Sequence, residues 1–230
     1  MSQRDTHVRP TRSAVIGLLA AALGRRRGAD LSDLRGLRFT VRTDRSGTRQ
    51  VDFQTIGGGL PPVKAVPSAN GDRKKDGTAT IVTRRHYLAD AAFTVAVDGD
   101  KEVVDAATRA LRAPRWPLYL GRRSCPPAGP VLVAHGLDDA AGALATFPLH
   151  RARPYGTDTV KVDIAYDRPP AKGHPARHRV MDDPETFDEY RRSWGVRTEY
   201  VSTLTLSTEL CAGLGTDWIN ALANRQQAST

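Results

Sequence analysis

Residues 14–23 read AVIGLLAAAL, ten apolar or glycine positions in succession, and they limit what this chain can become. A helix built from them has no clean polar face, so it must lie deep against a sheet and its neighbours instead of on an open surface. Thr11 or Ser13 offers an oxygen to the first-turn N–H groups, and Gly17 permits a close backbone approach. Arg25, Arg26 and Arg27 sit where the helix dipole favours cations, with Gly28 as the stop, so the helix is expected over residues 13–27. A membrane span needs about twenty apolar residues. A signal peptide fits poorly, because three arginines follow the run at once and no convincing cleavage site does.

A chain of 230 residues with 40% hydrophobic content can bury a real core, which excludes disorder throughout. The formal net charge of +9 favours a polyanionic partner such as nucleic acid, the plain alternative being arginines that merely solvate the surface. Cys125 and Cys211 have no metal-ligand spacing and read as free thiols of a cytosolic protein.

In chain order, residues 1–9 are a polar, basic lead with no strand signal. Residues 37–43 alternate as LRFTVRT, a half-buried strand with Leu37, Phe39 and Val41 inward. The turn DRSG at 44–47 then suggests a hairpin with a returning strand over 50–56, Val51 and Phe53 facing inward. Residues 57–77 break the pattern with glycines and prolines and carry Lys64, Arg73, Lys74 and Lys75, with Arg84 and Arg85 close behind. An excursion of that length is a basic arm suited to a phosphate backbone, or a solvated loop. Residues 86–98 read as a strand and 101–112 as a helix ended by Pro114, completing an order that fits most of a split βαβ, ferredoxin-like sandwich.

The stretch WPLYLGRRSCPP at 116–127 sets Trp116 and Tyr119 beside a bend at Gly121 carrying Arg122, Arg123 and Ser124. Arginines near aromatics suit phosphate clamping and base stacking, the alternative being an aromatic corner with solvated cations. Further strands are expected at 131–135, 157–167 and 196–206, with a brief helix within 137–147. Residues 182–194 read as helical or irregular, and residues after 206 as a loosely attached tail.

Motifs for chemistry are almost absent: no Walker loop, Rossmann fingerprint, HExxH or GxSxG occurs. The acidic run Asp182, Asp183, Glu185, Asp188 and Glu189 reads as a solvated face before it reads as a Mg²⁺ site. His174 and His178 lack a Glu-bearing helix, so a zinc site is not expected. His86, beside Arg84, Arg85 and Tyr87, is either a general base for RNA cleavage or one more backbone contact.

Three blocks, PTRSAVIGLLAAALG, TRRHYLADAAFTVAV and YLGRRSCPP, closely resemble the signature blocks of CasD-type subunits of the E-type Cascade complex, a bacterial CRISPR surveillance assembly. FQTIGG at 53–58 and VRTEYV at 196–201 extend the similarity over nearly the whole chain. The resemblance implies an α+β, ferredoxin-like (RRM-like) sandwich over residues 1–125 with a thumb-like insertion at 57–83, a small β-rich part over 126–206 and a tail over 207–230. It implies a non-catalytic, cytoplasmic RNA binder that holds the 5′ handle of the CRISPR RNA and contacts the backbone and large subunits, with no cofactor, metal or membrane. RNA contacts are implied at Thr11, Arg12 and Ser13, at Lys64, Arg73, Lys74 and Lys75, at Arg84, Arg85, His86 and Tyr87, and at Tyr119, Arg122, Arg123 and Ser124. Repeat-RNA cleavage without metal, as in C-type relatives, and a protein-only assembly scaffold are the alternatives. Members of that family begin with an apolar strand, whereas this chain starts MSQRDTHVRP, so the first strand of the sandwich is expected to be absent and its neighbours left with unpaired backbone groups.

Overall fold

A computed structural model describes residues 3–56, 80–170 and 173–228. In chain order the elements are β1 (Gln3–Arg4), α1 (Arg12–Ala22), α2 (Ser32–Gly36), β2 (Arg38–Arg45), β3 (Thr48–Ile56), β4 (Ile81–Ala89) and β5 (Ala92–Asp98). They continue with α3 (Lys101–Arg112), α4 (Ala140–Ala143), β6 (Thr159–Tyr166), β7 (Ala176–Thr186), β8 (Ser193–Ser207), a 3₁₀ turn (Thr208–Leu210) and α5 (Thr216–Ala228). The chain divides into a smaller unit, Met1–Val8 with Ser46–Ala91, and a larger one, Arg9–Arg45 with Ala92–Thr230.

The larger unit is built on a five-stranded antiparallel sheet in the order β5-β2-β6-β8-β7. Both long helices of its first half lie on one face, where Ile16 and Leu19 of α1 and Ala107 of α3 meet Phe39, Leu34 and Leu37, with Val95, Val97 and Phe187 packed around them. This is the α+β, ferredoxin-like arrangement the sequence implies. Thr11 caps α1, its hydroxyl accepting from the Ala14 N–H at 3.2 Å. The helix ends earlier than its sequence suggests, because Gly24 at φ +73° lets the Gly24 and Arg25 N–H groups close on the Ala21 and Ala20 carbonyls at 3.1 and 2.9 Å. Arg25 therefore leaves the helix and donates to Asp33 at 2.8 Å.

The expected hairpin between residues 37–43 and 50–56 does not form. β2 pairs with β5 and β6, whereas β3 pairs with β4 in the smaller unit. The reason is burial on both faces: Phe39 and Val41 face the helices, and Thr40, Arg42 and Asp44 are equally buried on the other side. A strand with side chains as exposed as those of β3 cannot lie beside it, and Val51 and Phe53, expected inward, are more than half exposed. Apolar neighbours from β6 and β8 fill the far face instead, with Ile164 against Leu144, and Val160, Val162 and Leu206 against Leu149.

Arg42 is wholly buried on that far face and is matched at every nitrogen. Its guanidinium donates to Asp44 at 2.6 and 3.1 Å, to the Phe147 and Pro148 carbonyls at 2.8 and 2.9 Å, to Thr94 at 3.3 Å and to the Leu144 carbonyl. Asp44 also accepts from Thr94 at 2.9 Å and from the His150 N–H at 3.1 Å. Such complete satisfaction is what lets an ion pair persist out of water, and it fastens the segment after α4 onto the sheet.

Further expectations are corrected, among them the strand at 131–135, which does not form. Residues 182–186 belong to β7, an outer strand, where Pro184 removes no needed ladder bond. The tail folds as α5, whose Trp218 and Leu222, four residues apart, bury against Phe147. In the smaller unit β3 and β4 form a hairpin, and Gln3 and Arg4, expected to carry no strand, pair in parallel with Arg84 and Arg85 of β4. Among the described residues β5 has a strand on one side only, and no described helix is long and apolar enough to cross a membrane.

Candidate nucleic-acid interface

Residues 115–121 run back along α1 in the larger unit. The Arg115 N–H donates to the Ala22 carbonyl at 2.9 Å, and at the other end a Cβ on Gly121 would meet that of Ala14 at 3.9 Å. There the chain turns sharply: Gly121, at φ +72°, lets the Arg122 N–H reach the Leu120 carbonyl at 2.8 Å, a γ-turn geometry that favours glycine. The Cys125 N–H then closes on the Arg122 carbonyl at 2.9 Å, and the Leu120 N–H on the Cys125 carbonyl at 3.0 Å. The result is a rigid six-residue loop beside the N-terminal turn of α1, with Arg123 and Ser124 exposed and Tyr119 and Arg122 half-buried. Fixed backbone with exposed donors is suited to phosphate oxygens, since no backbone ordering remains to be done on binding.

Thr11 and Ser13 lie at that same end of α1, their hydroxyls 3.1 Å apart. Arg12 points elsewhere. It donates to Asp183 at 2.8 Å, to Asp167 and to the Arg35 carbonyl, and it stacks over the Phe39 ring at 5.2 Å. Arg197 completes the seam with bonds to Asp182 at 2.6 and 3.0 Å and to Asp167 at 2.8 Å, while Arg9 holds Glu199 at 2.7 Å. Burial disfavours the Arg197 cation, but hydrogen bonding to Asp182 and the charges of Asp167, Asp182 and Glu199 outweigh it and push its pKa above the ordinary value. Burial likewise raises the Asp183 carboxyl, and donation from Arg35 and Arg12 more than offsets this to hold it below the ordinary range. Asp182 and Asp183 are therefore not a solvated face: Asp182 is buried, and both are matched to arginines.

The smaller unit presents a second candidate surface. Arg84 and His86 of β4 stand directly opposite Phe53 and Val51 of β3, so one face of the hairpin sets an arginine and a histidine among exposed apolar side chains. His86 accepts at Nδ1 from Arg49 at 3.2 Å, its Nε2 lies 3.3 Å from the Gln3 amide, and Arg49 also pairs with Asp5. Arg85 and Tyr87 lie on the opposite face, Arg85 donating to Thr83 at 3.3 Å. Phe53, expected inward from its sequence, stands exposed on this face. The usable signal was that a strand opposite Arg84 and Arg85 is not an interior strand. Lys64, Arg73, Lys74 and Lys75 lie outside the described residues. Among the described residues no group of three or more His, Cys, Asp or Glu side chains could hold a metal ion. Cys125 and Cys211 are unbridged.

The larger unit is thus a ferredoxin-like sandwich with a basic loop at one helix terminus, and the smaller unit carries a basic hairpin. Residues 1–200 match the family described as "CRISPR-associated protein (Cas_Cas5)", and the chain belongs to this Cas5 family. It is 32% identical over 197 residues to the CRISPR system Cascade subunit CasD of Escherichia coli (strain K12), covering 79% of each chain. Among solved structures, a chain of a CRISPR RNA-guided surveillance complex superposes with a TM-score of 0.82 at 42% identity, over 97% of this chain and 90% of that one. A second, a crystal structure of a Cas protein, gives 0.61 at 34% identity, over 92% and 88%.

Proposed function

We propose that this chain is a cytoplasmic, non-catalytic subunit of a Cascade-type surveillance complex that holds the 5′ handle of the CRISPR RNA, beside a backbone subunit and the large subunit. The observation that carries the reading is the closed loop at residues 120–125, which presents Arg122, Arg123 and Ser124 beside the N-terminal turn of α1. In this reading the loop clamps handle phosphates. The β3–β4 hairpin, with Arg84, His86 and Phe53 on one face, contributes phosphate and base contacts of its own, as do the cations at 64 and 73–75.

The lack of catalysis is favoured by the setting of His86. A general base needs a ring nitrogen with an available lone pair, and Arg49 already donates to Nδ1, the nitrogen that accepts in this tautomer. Incubation of the purified chain with labelled repeat RNA, first without metal and then with Mg²⁺, tests this directly. No specific product is expected; a specific cut abolished by H86A would overturn it.

A further inference from the structure

The two faces of the β7–β8 hairpin differ sharply in chemistry. On the side towards α1 lie Asp182, Asp183 and Glu199, each matched to an arginine. A register shift between Met181 and Asp183 lets Asp182 turn in to Arg197 while Met181 stays out beside its cross-strand partner Val196. By alternation the outward face carries Arg177, Arg179 and Met181 from β7 and Trp194, Val196 and Tyr200 from β8, with no carboxylate among them. Among the described residues neither Arg177 nor Arg179 is ion-paired; Arg177 lies over the Tyr200 ring at 5.9 Å.

This face continues one that the chain covers elsewhere. Further along β8, Leu204 and Leu206 on the same side pack beneath Leu149. Towards the hairpin end that cover runs out: Leu206 is 9% exposed, whereas Val196 is 54%, Met181 70% and Trp194 40% exposed. An aliphatic pair flanked by a tryptophan on one side and two arginines on the other has the composition of a protein interface core, in which Trp, Met and Arg are enriched. A nucleic acid would place its phosphates against the Met181 and Val196 side chains, which offer them nothing. The absence of acids on this face, and the match of guanidinium forks to carboxylates, select an acidic partner surface.

We propose that the outward face of the β7–β8 hairpin is a docking surface for a protein subunit that presents an apolar side chain flanked by carboxylates. The proposal rests on the assembly reading above for where the partner is sought, namely among the protein subunits of the chain's own Cascade complex.

Met181 supplies a direct probe, since its thioether is exposed in the free chain and peroxide converts it to the sulfoxide at a rate that follows access. Its oxidation is followed by peptide mass spectrometry in the free chain, with handle RNA alone, and in the complex reconstituted with its protein subunits. Slowing in the complete complex and not with RNA alone is expected. In parallel, M181D/V196D should weaken assembly about 30-fold, the loss of a hot-spot contact, with handle affinity and melting unchanged. Protection by RNA alone makes this a nucleic-acid face and overturns the proposal; unchanged oxidation in an assembled complex overturns it and leaves the assembly reading standing. A parent chain that enters no complex overturns both.

Discussion

The arginines packed beneath α1 and those in the loop at its N-terminal end are the same side chain in opposite circumstances. Arg12 and Arg197 are surrounded by Asp167, Asp182 and Asp183, so their charge is matched inside the fold. Arg123, on a loop closed by three backbone hydrogen bonds, faces solvent. A net charge of +9 therefore says that cations are in excess, not which ones are available. The partners that decide this lie far off in sequence, 155 and 171 residues away for the two carboxylates of Arg12.

The contrast is broken most severely by attacking the buried side. Arg42→Met leaves Asp44 as an uncompensated buried charge, which costs about 3–5 kcal/mol. For a chain of this size that lowers the melting temperature by roughly 6–20 °C. R42M/D44L should recover much of the loss, because two apolar side chains can replace a buried pair. Melting of R42M within a degree of the parent would show that the pair does not hold the segment after α4 to the sheet.

A smaller effect is expected at the seam itself. Arg12→Ala removes charge-assisted bonds to Asp167 and Asp183 and should cost about 2–3 kcal/mol. Measured well below its melting temperature, the variant should retain the handle affinity of the parent, since the cation it loses is matched by carboxylates inside the fold. Loss of affinity without loss of stability would move Arg12 from the interior to the interface.

The smallest effect is a pH dependence. Asp183 has a depressed pKa in the folded chain, so its contribution is present above the unfolded value and disappears as pH falls through the folded one. The stability gap between the parent and D183N should accordingly narrow as pH drops below about 4. Denaturant unfolding at a series of pH values reads this gap. A gap that stays constant to low pH would remove the carboxylate from the account.

What the sequence made legible follows the range of the interactions. The core helix, its Thr11 cap, α3 over residues 101–112 and the strands around 159–166 and 193–207 are set by local periodicity and capping, and all are present. The bend at Gly121 was legible for the same reason. The partner of β2 was not, because a strand that reads as half-polar is buried on both faces by virtue of its own Asp44 and of Thr94 and three carbonyls contributed from elsewhere. The acidic run near 182 looked like surface because its arginines come from α1 and β8. The helix at the C-terminus was masked by a stripe of only two buried residues, Trp218 and Leu222.

The central claim, that the loop cations and not the seam cations meet the RNA, is tested most directly by the salt dependence of handle-RNA affinity, measured with the chain assembled beside its backbone subunit. For R122A/R123A the slope of log affinity against log salt should fall by about 1.4, the value for two phosphate contacts on a single strand, with melting unchanged. R12A should keep the parent slope. If R122A/R123A retains both the parent affinity and the parent slope, the loop is only a structural corner and the account is contradicted.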